Sequence, residues 1–74
     1  MNPNQLFAIP AATGFKLVDS KLNVVIELKA TSSDAVFIAN KGEIIGAFIE
    51  KGNGWYFEFY QNKKLISERV DVKF

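Results

Sequence analysis

At 74 residues the chain has room for one small domain. Having no cysteine and no histidine, it lacks disulfides, the commonest general base, a thiolate nucleophile and any thiolate–imidazole zinc site. A hydrophobic share of 49% at a net charge of +1 excludes a disordered chain, and the charges form neither a basic block for nucleic acid nor an acidic tail.

The first residues carry no Lys or Arg before Lys16, and no run reaches the ~18 apolar residues of a membrane helix. Together with the missing cysteines this predicts a cytoplasmic protein with no membrane partner. Asn2-Pro3 reads as the cap and first position of a short helix, ended near Ile9 because Pro10 disfavours helical geometry before it. An extended arm is the alternative, so residues 1–14 read as arm or short helix, with Ala11-Ala12-Thr13-Gly14 as loop.

Residues 15–74 read as β-meander. Phe15 to Val18 is a short strand, and Asp19-Ser20-Lys21 supplies turn chemistry. Asn23 to Ala30 alternates, with Val24, Ile26 and Leu28 on one face and Val25, Glu27 and Lys29 on the other. Thr31-Ser32-Ser33-Asp34 is a polar loop before a short strand, Ala35 to Ala39.

Asn40-Lys41-Gly42 reads as a three-residue hairpin loop with a left-handed Gly42, which sets Ile38 opposite Ile44 and Val36 opposite Gly46. A turn at Gly52-Asn53 or Asn53-Gly54 puts Ile44, Gly46 and Phe48 on the face of Trp55, Phe57 and Phe59. An Asn62-Lys63 turn then aligns Phe59 with Ile66, Tyr56 with Arg69 and Trp55 with Val70. Glu68 breaks the pattern, falling opposite Phe57; a bulge near Ser67 or a place at the sheet rim would relieve it. The fold class is therefore all-β: an antiparallel meander of five or six strands, strongly curved or closed into a small barrel.

Chemistry is sparse. Glu43 and Glu50 lie roughly 23 Å apart along one strand, too far for a paired-carboxylate site. Gly52-Asn53-Gly54 precedes a strand, not a helix, so it is a turn and not a phosphate cradle. Glu68 and Asp71 have no third metal ligand, and no cofactor is expected. The second face of the C-terminal strands is the informative feature. It carries Ile45, Ala47, Ile49, Tyr56, Tyr60, Leu65 and Arg69, less polar than a solvated sheet face. Either the sheet closes or the arm covers this face, or it meets another protein.

These residues predict a non-enzymatic interaction protein or accessory subunit, self-associating as a homodimer through Ile45, Ile49, Tyr56, Tyr60 and Arg69. The alternative is a single-stranded nucleic-acid-binding barrel using Tyr56, Tyr60, Lys63, Lys64 and Arg69, with Glu58 between the tyrosines working against it.

Overall fold

Two-residue turns govern most of the molecule. In the computed structural model, which describes residues 4–74, the strands are β1 (Leu6–Ala11), β2 (Gly14–Val18), β3 (Val24–Ala30), β4 (Val36–Lys41), β5 (Ile44–Lys51), β6 (Gly54–Gln61), β7 (Lys64–Val70) and β8 (Val72–Lys73). Asn62 (φ 51°) and Lys63 (φ 65°) both sit in left-handed backbone, as a type I′ turn requires, and bring Gln61 onto Lys64. Gly42 (φ 62°) and Gly52 (φ 57°) take the first central position of turns pairing Lys41 with Ile44 and Lys51 with Gly54, the type II′ pattern.

The architecture is all-β and meander-like, with eight strands where the sequence suggested five or six. Neighbours β1 to β7 pair antiparallel in one strongly curled sheet of order β7-β6-β5-β4-β3-β2-β1-β8. Only Asp71 separates β7 from β8, yet β8 pairs parallel with β1 through Leu6–Val72 and Phe7–Lys73. The two ends of the sheet therefore meet over this short stretch. Among the described residues no helix is long and apolar enough to cross a membrane.

Leu6–Ala11, within the stretch read as arm or short helix, is strand β1, paired from Phe7–Val18 to Ala11–Gly14; Asn2 and Pro3 lie outside the described residues. Leu6 bonds on the β8 side, so strand alternation turns the missing N–H of Pro10 away from β2 as well, where it costs no ladder bond.

The core fills the concave side with Leu6, Leu17, Ile26, Leu28, Phe37, Ala39, Phe48, Phe57 and Phe59. Phe48 stacks on Trp55 (centroids 5.1 Å, 11°), and Phe74 meets Phe15 edge-on at 5.2 Å and Trp55 at 5.2 Å. Gly46 makes this packing feasible: a Cβ there would lie 2.2 Å from the Glu58 carbonyl oxygen.

Two expected registers are corrected. The β4–β5 turn is Gly42-Glu43, not a three-residue loop, so Val36 opposes Ile49 and Ile38 opposes Ala47. That odd shift inverts β4, making Phe37 and Ala39 core while Ile38 turns outward. In β3, Ile26 and Leu28 are buried as expected, but a register irregularity pairs Leu17 with Ile26 and Val18 with Val24. Val24 is consequently exposed, and Val25 packs against the core. Of the two turns expected between β5 and β6, Gly52-Asn53 forms and pairs Phe48 with Phe57 on the expected shared face, and the β6–β7 register agrees with the sequence reading, including Phe59 with Ile66.

Candidate functional site: the outer face of β4 to β7

Alternation along β5, β6 and β7 sends one set of side chains away from the core. Across the strands these form rows: Val36, Ile49, Tyr56 and Arg69; then Ile38, Ala47, Glu58 and Ser67; then Asn40 and Ile45, with Tyr60 beside Leu65. Ile38, Ile45, Tyr60 and Leu65 are 44%, 70%, 76% and 56% exposed. Ile45 and Tyr60 border one shallow depression that also takes in Glu43 and Gln61.

Each residue singled out from sequence for the interaction face has a place here. Ile45 and Tyr60 are exposed, Ile49 and Tyr56 half-buried, and all four share the outer face with Arg69. Tyr56 lies opposite Arg69 as expected, but the cation over its ring is the Lys51 ammonium, 6.0 Å from the centroid. The Arg69 guanidinium lies beside Gly54, within 3.1 Å of where a Cβ would be. Lys64, paired with Gln61, belongs to the concave side, and Lys63 lies in the turn, so the proposed phosphate-binding lysines are split between turn and opposite face. Ile38 joins the patch, whereas a three-residue Asn40-Lys41-Gly42 loop would turn it inside; Gly42 as the first residue of a Gly-X turn is the sequence signal for its outward place.

A polar band of Lys51, Glu58 and Ser67 interrupts the face on β5 to β7. Glu58 accepts hydrogen bonds from the Lys51 ammonium and, at 2.9 Å, from the Ser67 hydroxyl. These two contacts, Lys51 first, hold its carboxyl below the usual carboxylate range. Glu58 thus has partners on its own surface, with apolar side chains on both sides of the band.

On the concave side, Glu68 resolves without a bulge. The β6–β7 register runs unbroken from Trp55–Val70 to Gln61–Lys64, and Glu68 sits half-exposed at the rim, 3.8 Å from Lys41. The Lys41 ammonium also lies 5.9 Å from the Phe57 ring centroid. Both charges line a cleft of about 870 Å³ beside β7, together with Ile26, Trp55 and Val70. Among the described residues no three His, Cys, Asp or Glu side chains gather to hold a metal ion.

Compared with protein-family models, curated proteins and solved structures, the chain matches none.

Proposed function

We propose that this chain is a non-enzymatic interaction module, an accessory subunit or self-associating protein, that meets other protein surfaces through the outer face of β4 to β7. One observation carries the reading: Ile38, Ile45, Tyr60 and Leu65 are exposed together on adjacent strands, and one isologous patch of this kind suits a homodimer. Tyr60 supplies a large ring of the type enriched at interfaces, and Ile49, Tyr56 and Arg69 extend the surface. A cytoplasmic setting, which the cysteine-free composition suits, belongs to the same proposal. Single-stranded nucleic acid has less support, because Glu58 sits between Tyr56 and Tyr60 and the lysines are split between turn and concave side.

Light scattering after size exclusion tests the reading. Ile45→Asp with Tyr60→Ala should lower the associated fraction, more so at high salt where the apolar contact of the wild type holds. A double variant that associates like the wild type while remaining folded overturns it.

A further inference from the structure

Among the described residues β7 has an open flank: it stands at one end of the strand order, with β6 alone paired along Lys64–Val70. Gln61 and Lys64 close a two-residue hairpin, so Lys64, Ile66 and Glu68 direct their backbone groups towards β6. Leu65, Ser67 and Arg69 then direct N–H and C=O to the open side. Asp71 agrees with that alternation, its carbonyl accepting from the Leu6 N–H at 2.8 Å on the same flank. The opposing free flank, β1 beyond Phe7, is blunted by Pro10, whose missing N–H falls there. An added strand is accepted along β7 and refused along β1, which disfavours head-to-tail growth and leaves β7 to meet its own copy.

We propose that β7 pairs antiparallel with β7 of a second copy of this chain, about a two-fold axis through Ile66. An axis normal to the sheet keeps each face on its own side, so Lys64, Ile66 and Glu68 of the two copies oppose one another. Centring on Lys64 or on Glu68 brings like charges together. Centring on Leu65 or Ser67 sets Ile66 against a charge. Centring on Ile66 sets the two isoleucines opposite each other and faces each Lys64 with the second copy's Glu68, a favourable cross-strand pairing made twice. In that register Leu65 and Ser67 exchange backbone hydrogen bonds across the axis. The one like-charge meeting, Arg69 with the second copy's Lys63, falls at the ends of the pairing, where the Arg69 guanidinium is folded back beside Gly54. Lys64 and Glu68 therefore select the register of an edge they would otherwise only protect. The pairing does not depend on the outer-face reading, but it would join the two outer faces along Leu65.

Ile66→Cys tests this in a chain with no other cysteine. Non-hydrogen-bonded antiparallel partners have Cα atoms about 4.5 Å apart, within disulfide reach. Under mild oxidation Ile66→Cys should form a covalent dimer faster than Lys21→Cys, in an exposed loop, and faster than Ser67→Cys. Equal rates, or Ser67→Cys leading, overturn the pairing. Because Ile66 is half-buried, Lys64→Glu gives a second reading in the cysteine-free protein: a dimer dissociation constant raised roughly tenfold is expected. An unchanged dissociation constant, or a wild type that stays monomeric, overturns it. Ile45→Asp combined with Ile66→Cys separates the two interfaces, since cross-linking should persist when the outer face is disabled.

Discussion

Lys51 holds Glu58 across the β5–β6 hairpin, its ammonium donating to the Glu58 carboxylate while lying 6.0 Å from the Tyr56 ring centroid. The contact fixes a sign for acid stability. Hydrogen bonds from Lys51 and Ser67 lower the folded-state pKa of Glu58 below its ordinary value of 4.5. A depressed carboxylate contributes stability that is present above its unfolded pKa and lost as pH falls through the folded one. Asp19 acts in the same direction, lowered first by the Asn23 N–H, which donates to its Oδ1 at 2.9 Å. Urea midpoints should therefore fall as pH drops below about 4.5, and Glu58→Gln should flatten that slope. Parallel pH profiles for wild type and Glu58→Gln would show that the Lys51 contact does not form in solution.

Lys63 occupies left-handed backbone at φ 65°, where a side chain carries a steric penalty that glycine avoids. Lys63→Gly converts the turn to Asn-Gly, the favoured type I′ pair. Part of the gain is offset by the larger unfolded-state entropy of glycine, leaving a stabilisation of about 0.5–1 kcal/mol. Thermal unfolding reads it directly, and a lower melting temperature would mean that Lys63 makes a compensating contact.

Gly46 should behave oppositely. Its missing Cβ would fall 2.2 Å from the Glu58 carbonyl oxygen and 3.0 Å from both the Phe57 ring and the Phe59 Cβ. Because the nearest obstruction is backbone, Gly46→Ala must push β5 and β6 apart. A loss of about 2–3 kcal/mol is expected in chemical unfolding. A change under about 0.5 kcal/mol would contradict so close an approach of these strands.

The C-terminal meander was legible because several cues agreed. Asn62-Lys63 is a turn pair of fixed length and Trp55, Phe57 and Phe59 alternate with more polar neighbours, so turn and pattern select one β6–β7 register, while either Gly52-Asn53 or Asn53-Gly54 keeps the same residues of β5 and β6 on one face. In β4 that second constraint is missing. Val36, Phe37, Ile38 and Ala39 are consecutive apolar residues, so either parity offers a hydrophobic face and one residue of loop length decides the outcome. β1 was obscured for another reason. Pro10 reads as a breaker in isolation, and its tolerance depends on an edge position created by partners distant in sequence. Of the outer patch, Ile45, Ile49, Tyr56, Tyr60 and Arg69 followed from the legible strands, while Ile38 was lost with β4. The Lys51 position over Tyr56 depends on side-chain reach along the hairpin, which strand parity does not encode.

The inverted register of β4 separates two neighbouring residues sharply. Phe37 packs in the core, its ring 5.8 Å from both Phe15 and Trp55, while Ile38 points outward beside Ala47. Truncating the buried ring removes both transfer energy and packing, so Phe37→Ala should cost about 3–5 kcal/mol. Ile38→Ser removes a side chain already 44% exposed and should stay within about 1 kcal/mol. Under the alternative three-residue turn the order reverses, because Ile38 would be core and Phe37 solvent-facing. Denaturant titration of both variants decides between the registers: a costlier Ile38→Ser would return β4 to the opposite face and remove Ile38 from the outer patch.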